Sequence, residues 1–403
     1  MKKIKNFNIL PILLLCSCSL YTQKQDTSEQ TYMNNYNQNG MIAISESLPT
    51  IKSDLSPQIV TFLAADNKID GNWLLMSRLA VLNNRYSDDN KLCQDLKLMM
   101  IRSINIVLKQ FTEIDNIIFI SDGGSWRNKL QLPAFIHEEY KGNRVKDESI
   151  NWDLIFDAYE DFQVKLRMCG INVCKEANLE GDDWMWYWST KLNSEGTNVI
   201  IWSKDKDLTQ LVKIDKDCCF TVCWVKDSGL ITIHRDEEEM DFFFNEAYSI
   251  NEQIYHSIVD KCKDIKEINP KEVVIDKMIR GDAGDNVFPI IQKKSKTDKL
   301  YRVGVKDLDV NLDYNSEEDV KKYLEKLLEQ KSYKGKVDKP LDQIIEHFNY
   351  NRKLVALQEQ SYPSEILNIF NDYKSYKISK DTHEVEYQLI AEANSISSIL
   401  DFV

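Results

Sequence analysis

The chain has 403 residues, which is room for one large domain with appendages or for two domains. A hydrophobic content of 43%, with only 13 Gly and 8 Pro, supports a proper core and excludes a fibrous or wholly disordered chain. The formal net charge of −13 does not exclude a nucleic-acid partner, because such binding depends on local basic patches and clustered metal-binding acids lower the sum.

The first residues form a signal-like leader, which we assign to positions 1–20. Lys2, Lys3 and Lys5 precede an apolar run that is too short to span a membrane, and Cys18 follows it. This pattern is typical of a bacterial lipoprotein signal with Cys18 as the lipidated residue. The alternatives are a short apolar leader or an upstream start codon. The polar composition that follows predicts a disordered linker over 21–46.

The cysteines indicate a reducing compartment. There are nine of them, an odd number, and none forms a CxxC pair. Cys218, Cys219 and Cys223 are close enough to suggest a metal site, but they lie in a strand-like run with no His nearby. We therefore expect reduced, buried thiols and a cytoplasmic protein.

The predicted elements alternate along the chain. Strands are predicted at 59–65, 116–120, 171–174 and 198–203, and helices at 73–82, 95–111, 152–168 and from Glu180 onward. This alternation predicts an α/β fold with a parallel sheet flanked by helices. Residues 218–224 and 230–234 predict a hairpin, and from residue 251 the pattern is helical nearly to the end.

Carboxylates recur where the predicted strands end and the helices begin. Asp122 and Asp205 each follow an apolar strand closely, and parallel strands bring such positions to one crevice. Taken singly, each acid has a structural explanation in turn chemistry or at a helix N-terminus. Together they would repel one another unless some are protonated or a cation holds them. Oxygen ligands without His favour Mg²⁺ or Mn²⁺.

The order of these motifs resembles that of the 5′-nuclease superfamily, the flap endonucleases and 5′–3′ exonucleases. Within it the chain is most similar to the ribonuclease H of T-even bacteriophages and its relatives. The resemblance extends over about 68–373 and rests on five ordered motifs. They are Asp70-Gly71-Asn72, Asp122 with Trp126-Arg127 and Tyr140-Lys141-Gly142-Asn143-Arg144, Glu180-Gly181-Asp182-Asp183, Ser203-Lys204-Asp205-Lys206-Asp207-Leu208, and Gly281-Asp282 with Asp285-Asn286.

The resemblance implies a PIN-like parallel sheet, helix-flanked, with a helical C-terminal DNA-binding part. A catalytic α/β domain would occupy 47–265, with an arch or bridge at about 123–150. The helical part, 266–403, would carry a helix–three-turn–helix-like segment. The family's active site holds two Mg²⁺ ions, for which Mn²⁺ can substitute, and no small-molecule cofactor. The implied ligands are Asp70, Asp122, Glu180, Asp182, Asp183, Asp205, Asp207, Asp282 and Asp285.

The first ligand departs from the family pattern. An apolar strand normally runs straight into this Asp, whereas here Asp66-Asn67-Lys68 interrupts it. Asp66 is therefore an alternative ligand. We prefer Asp70 because Gly71 and Asn72 follow it as they do in the family.

The resemblance also assigns roles to basic residues. Arg127 would neutralise the scissile phosphate, and Lys141, which we also expect in catalysis, would hold the single strand with Arg144. The alternative for this segment is a solvated loop of mixed charge. A second basic run would bind duplex phosphates, although the family's Gly-Ile-Gly signature is faint and late, which leaves a potassium site in doubt. The expected nucleic-acid contacts are Arg127, Lys129, Lys141, Arg144, Lys293, Lys294, Lys296, Lys299, Arg302 and Lys306.

The sequence thus predicts a Mg²⁺-dependent 5′ nuclease that removes RNA primers or flaps in phage-type DNA replication. Its partners would be DNA or an RNA–DNA hybrid with a 5′ end, and a single-strand-binding protein or a sliding clamp. The alternative is a membrane-anchored lipoprotein whose acids bind a structural cation without catalysis, which the leader favours. The ordered motifs and two basic patches favour the nuclease.

Overall fold

The structure is a computed structural model, and it describes most of the chain after residue 58. The described residues are 59–64, 75, 79, 82, 88–111, 114, 116–144, 150–214, 219–225, 228–234, 250–291, 293–294, 300–337, 339–373 and 382–402. The leader, the linker, Asp66, Asp70 and most of the predicted helix at 73–82 lie outside these ranges. All described residues belong to one compact unit, Pro57–Val403.

The described strands form one large sheet and one small ribbon. The strands are β1 (Ile59–Ala64), β2 (Asn116–Ile120), β3 (Asn172–Cys174), β4 (Asn198–Trp202), β5 (Lys213–Ile214), β6 (Phe220–Val225), β7 (Leu230–His234), β8 (Asp264–Ile268), β9 (Lys293–Lys294) and β10 (Leu300–Tyr301). The α-helices are α1 (Asp89–Gln110), α2 (Trp152–Met168), α3 (Gly181–Ser194), α4 (Ile250–Val259), α5 (Pro270–Arg280), α6 (Glu317–Glu329), α7 (Leu341–Val355), α8 (Ser364–Asp372) and α9 (Thr382–Phe402).

The large sheet has the strand order β3-β2-β1-β4-β6-β7-β8, and β5 pairs with β6. The neighbours β3, β2, β1, β4 and β6 run parallel to one another, with Phe62 of β1 opposite Ile118 of β2 and Ile201 of β4. β6 and β7 form the predicted antiparallel hairpin. The predicted α/β class and the parallel, helix-flanked sheet are confirmed.

Apolar side chains cover both faces of β2 and β4, which is why their sequences are continuously hydrophobic rather than alternating. In β4, Ile200 and Trp202 belong to a core that α1, α2 and α9 share. The intervening Val199 and Ile201 face a second core, which α3 and α8 cover. α9 packs along α1 on the first face.

The helices begin where side chains can satisfy their first N–H groups. Asp88 accepts from the backbone N–H of Asn90 at 2.8 Å ahead of α1, and Asn269 accepts from Lys271 at 3.0 Å ahead of α5. α5 also has Pro270 at its first turn, where the missing N–H costs nothing. These caps fix the residues at which α1 and α5 begin.

The C-terminal helices form a third core of their own. Buried residues of α5, α6 and α7, among them Met278, Leu324 and Phe348, pack together with Tyr140 from the segment that follows β2. This core positions α5 and the turn after it beside the edge of the sheet at which the parallel strands end. The predicted helical C-terminal part is thereby confirmed in outline.

One sequence prediction is wrong beyond residue 251. Asp264–Ile268 is a strand, β8, that pairs in parallel with β7 at the sheet edge, and it runs across the predicted domain boundary at 265/266. Its residues are mostly exposed and charged, as edge strands often are, so they give no apolar periodicity. The division into domains itself stays a prediction.

Two further sequence observations can be compared with the structure. The six cysteines within the described residues, Cys93, Cys169, Cys174, Cys219, Cys223 and Cys262, are all free thiols, and five of them are buried. Among the helices that the structure describes, none is long and apolar enough to cross a membrane.

Candidate active site

The parallel strands deliver acids to a single edge of the sheet. β2 ends at Ile120 and β4 at Trp202, on either side of β1, and Asp122 and Asp205 follow at the same edge. β3 leads through a short loop to Glu180 at the start of α3. These acids therefore lie at the carboxyl edge of the sheet, as expected for a parallel fold.

Asp122 is held against α3 by tight contact between two loops. Gly123 donates its N–H to the Leu179 carbonyl at 2.8 Å, and a Cβ at Gly123 would lie 1.8 Å from the carbonyl oxygen of Glu176. Only glycine fits at this position. As a result Asp122 reaches the first turn of α3, where its Oδ1 accepts a hydrogen bond from the backbone N–H of Gly181.

Four carboxylates form the first acidic group, which we define as Asp122, Glu180, Asp182 and Asp183. Ligand oxygens of the last three lie within 4.8 Å of one another. Asp122 Oδ2 is buried and has no hydrogen-bond partner among the described residues. A buried, unpaired carboxylate oxygen beside three others fits a hard divalent cation, and the donors are all oxygen.

A buried arginine, Arg127, pairs with two acids of this group. The Arg127 side chain has no exposed surface, and its Nη1 is 2.7 Å from Glu180 Oε2 while its Nη2 is 2.8 Å from Asp183 Oδ1. Its Nε donates to the backbone carbonyl of Leu354, at the end of α7, at 2.8 Å. Ser125 Oγ donates to the same Glu180 oxygen at 2.7 Å. Arg127 thereby connects the acids to the C-terminal helices.

This position bears on the expected role of Arg127 at the scissile phosphate, which stays a prediction. A guanidinium with no exposed surface, whose donors face Glu180, Asp183 and a carbonyl, cannot contact a phosphate in this conformation. The sequence motif could not show whether this arginine is exposed to a substrate or buried against the acids. In this structure the guanidinium pairs with two of the carboxylates, Glu180 and Asp183.

Burial and mutual repulsion change the pKa values of the first group. Burial, together with the charge of Glu180, raises the pKa of Asp122 to about 7. Burial also raises the pKa values of Asp182 and Asp183, although Arg127 opposes it. Glu180 is different: burial would raise its pKa, but Lys141 and Arg127 outweigh that effect and lower the pKa to about 2. Cation binding here should therefore release protons near neutral pH.

The second acidic group, Asp205, Asp207, Asp282 and Asp285, combines the end of β4 with the turn after α5. Gly281 ends α5 with φ of 71°, and backbone hydrogen bonds of 2.8 and 2.9 Å between Asp282 and Val287 close the turn. Asp205 Oδ1 accepts from the N–H of Asp207 at 2.7 Å.

Lys277 of α5 joins the two halves of this second group. Its Nζ pairs with Asp207 Oδ1 and lies 2.5 Å from Asp282 Oδ2. Burial and the neighbouring Asp205 raise the pKa of Asp207 to about 7 despite Lys277. At Asp282 burial acts in the same direction, but the hydrogen bond from Lys277 outweighs it and lowers the pKa.

The segment 139–144, part of the expected arch, packs directly on the turn of the second group. The Lys141 N–H donates to the Asp285 carbonyl at 2.9 Å, and Arg144 Nη2 is 2.6 Å from Asp285 Oδ1. Asn286 Nδ2 donates to the Glu139 carbonyl at 2.8 Å. Lys141 Nζ meanwhile pairs with Glu180 of the first group. One short segment thus contacts both acidic groups.

The other expected nucleic-acid contacts are placed as follows. Lys129, Arg302 and Lys306 are exposed. Lys293 and Lys294 form β9 of the small ribbon, and Lys296 and Lys299 lie outside the described residues. In the loop expected to grip duplex phosphates, the Gly304 N–H donates to Tyr333 Oη at 3.1 Å. A phosphate or potassium role for this loop stays a prediction.

Sequence reasoning missed several residues of the site. The sequence pattern places Lys277 only in a predicted helix, and its spacing from Asp282 does not indicate their contact, because helical neighbours are three or four residues apart. Ser125 and the Leu354 carbonyl could not have been found, because their contacts with the Arg127 and Glu180 pair join segments far apart in sequence.

Comparison with solved structures returns proteins of bacteriophage T5. One is the T5 D15 protein co-crystallised with metal ions, at 16% identity and a TM-score of 0.47, covering 80% of this chain and all of that chain. Another is the T5 D15 flap endonuclease in a pseudo-enzyme–product complex with DNA and metal ions, at 15% identity and a TM-score of 0.46, covering 85% and 100%.

Sequence comparison finds a 5′-3′ exonuclease of Buchnera aphidicola subsp. Acyrthosiphon pisum (strain APS), 29% identical over 146 residues. The match covers 36% of this chain and 47% of the Buchnera protein, so the chain spans about half the length of this relative. Residues 69–241 match the family model of the 5′-3′ exonuclease N-terminal, resolvase-like domain. Similarity to the T-even ribonuclease H in particular stays a prediction. Residues 69–241 are therefore similar to the N-terminal, resolvase-like domain of 5′-3′ exonucleases.

Proposed function

We propose that the chain is a Mg²⁺-dependent 5′–3′ exonuclease and flap endonuclease. It would hydrolyse phosphodiester bonds at the 5′ ends of DNA or RNA–DNA hybrids and so remove primers or flaps in phage-type DNA replication. The observation that carries this proposal is the meeting of two acidic groups at the carboxyl edge of a parallel sheet, with Lys141 and Arg144 beside them. The match of residues 69–241 to an exonuclease domain supports it.

The donors of the first group would hold one ion, and Asp205, Asp207, Asp282 and Asp285 would serve a second. Divalent ions held there would activate a water molecule and stabilise the leaving oxygen of the cleaved phosphodiester. Mg²⁺ suits the all-oxygen donors, and Mn²⁺ is the expected substitute. Asp70 or Asp66 completes the proposed set.

The chain's own residues then bind and orient the strand. The side chains of Lys141 and Arg144 are each 13% exposed, so they reach the surface at the rim of the acids. There they can attract a phosphate that the carboxylates alone would repel. Arg127 holds Glu180 and Asp183 in place from below, which keeps the oxygens aimed at the same point.

The biological setting is part of the proposal. We assign the work to the cytoplasm, host cytoplasm for a phage protein, and expect a single-strand-binding protein or a sliding clamp as recruiting partner. The exposed Arg302 and Lys306 and the paired Lys293 and Lys294 are the proposed contacts to duplex phosphates. Such contacts make binding steeply salt-dependent.

The test is cleavage of 5′-labelled flap, nicked and RNA–DNA hybrid substrates with Mg²⁺, with Mn²⁺ and with EDTA. We expect cleavage in both metals and none in EDTA. The matched control is the same flap with its 5′ end blocked by a bulky adduct, which should be cut far more slowly. Cleavage that persists in EDTA, or an inert protein in both metals, would contradict the proposal.

A further inference from the structure

Cations of the chain pair with both acidic groups, but the carboxylate oxygens of the two groups are arranged differently. In the first, oxygens of Glu180, Asp182 and Asp183 already converge within 4.8 Å. Among the residues that the structure describes, the second group offers no comparable set of three converging oxygens. Three of its four carboxylates, Asp207, Asp282 and Asp285, pair with cations of the chain.

Lys277 supplies the central one of these cations. Its ammonium pairs with Asp207 and lies 2.5 Å from Asp282, and its side chain is 14% exposed. Arg144 pairs with the third acid, Asp285, at 2.6 Å. An oxygen that accepts a short hydrogen bond from an ammonium has one of its two lone pairs occupied and its charge compensated, so a divalent ion meets both competition and repulsion there.

We propose that Lys277 is a built-in counter-ion of the second acidic group, which must leave Asp207 and Asp282 before a divalent ion binds them. The inference takes from the proposed function only the class of ion. The lysine can leave because its ammonium sits on a flexible four-carbon stem that already reaches the surface. Lys277 holds the two carboxylates together when no ion is bound, and it thereby weakens their affinity for a divalent ion.

The experiment measures Mn²⁺ binding to the full chain without nucleic acid, from the electron paramagnetic resonance of the free ion. In Lys277→Met the stem remains and the charge is lost. We expect the weaker Mn²⁺ binding step to tighten by about tenfold or more, since a lost charge–charge contact of this kind commonly changes affinity by that factor. The stronger step should stay within about threefold.

Two variants serve as controls. Lys277→Arg keeps the cation and should retain the wild-type affinity within about threefold. Lys271→Met removes an exposed charge from the first turn of the same helix and should change neither step. If Lys277→Met does not fold, Lys277→Gln provides the same comparison, because it also removes the charge while keeping a hydrogen-bond donor.

Unchanged or weaker Mn²⁺ binding in the uncharged variant would overturn the proposal, because the ammonium would then be helping to hold the ion. The result is separable from the proposed function. If that function were wrong, the wild type would fail to cut 5′ substrates at saturating Mn²⁺, whereas the tightening in Lys277→Met would persist.

Discussion

At the scale of single residues, the site is organised by cations placed among buried acids. Arg127 has no exposed surface, and its partners Glu180 and Asp183 are nearly as deeply buried. Taking such charges out of water is costly, so the arrangement is stable only while every charge has its partner. This makes the arginine a positioning residue, and its effect should appear in stability before it appears in substrate contact.

Replacing Arg127 by Met should lower the free energy of unfolding by about 3–5 kcal/mol, the usual cost of leaving buried charges uncompensated. Urea unfolding in EDTA measures it. The matched control is Lys129→Met, an exposed position in the short 3₁₀ helix Trp126–Lys129 that also contains Arg127, which should cost less than about 0.5 kcal/mol. Similar losses for the two variants would mean that the ion pairs of Arg127 contribute nothing to stability.

At the scale of elements, the sequence predicted the framework well and the connections between elements poorly. The strand at Asn116–Ile120 and the helix at Trp152–Met168 have the predicted bounds, because continuous apolar runs and a 3.6-residue period are local signals. The strand Asp264–Ile268 was missed because an exposed, charged edge has no such signal. The contact of segment 139–144 with the turn after α5 is likewise invisible to a local pattern.

Helix α7 carries a buried titratable group away from the acids. His347 is 1% exposed, Lys339 Nζ lies 3.0 Å from its Nδ1, and its ring is 5.5 Å from that of Phe135. Burial, aided by the Lys339 ammonium, lowers the pKa of His347 to about 3. The folded protein therefore holds this histidine neutral at pH values where the unfolded chain protonates it.

The buried His347 makes the free energy of unfolding depend on pH. Between the unfolded value of about 6.5 and the folded value of about 3, only the unfolded chain binds the proton, so stability is complete above pH 6.5 and falls as the pH drops. In urea unfolding with EDTA, His347→Phe should remove up to about 1.4 kcal/mol per pH unit of this slope. The exposed His137, changed to Gln, should leave the slope as it is. Equal slopes for the wild type and His347→Phe would contradict this account.

The ribbon of β9 and β10 belongs to the proposed duplex contact. Changing Lys293, Lys294 and Lys296 together to Gln should weaken duplex binding and lower the slope of log affinity against log salt by about one per lost phosphate contact. Fluorescence anisotropy between low and high salt measures it. Lys109→Gln, an exposed change at the end of α1, should leave the slope unaltered. An unchanged slope in the triple variant would remove this ribbon from the interface.

At the scale of the whole molecule, the order of the acidic motifs predicts that their carboxylates lie close together, and the fold shows how this happens. Acids from the ends of β2 and β4 and from the turn after α5 reach one edge, as parallel topology requires. The sequence could not show how deeply each charged group is buried. The sequence motif suggests a phosphate ligand for Arg127, but its side chain is buried against the acids. Lys277 has the pattern of an ordinary helix residue, but its ammonium lies among the acids.

The leader should be dispensable for folding and catalysis. A polar linker, predicted over 21–46, means that no core contact should depend on the residues before it. A chain that starts at Met41 should melt within about 2 °C of the full chain and cut flaps at the same rate. Fractionation of the tagged full chain should place it with the soluble proteins. Recovery of diacylated Cys18 from membranes would instead support the lipoprotein alternative.

The most direct test of the central claim is flap cleavage by Asp122→Asn in Mg²⁺. Asn keeps the oxygen that accepts from Gly181 but removes a charge from the proposed ion site, so the fold and substrate binding should persist. The cleavage rate should fall by at least about a hundredfold while flap affinity stays within about threefold. Asp153→Asn, an exposed acid on α2, should cut normally. Near-normal turnover by Asp122→Asn would contradict the assignment of the acidic groups as the catalytic centre.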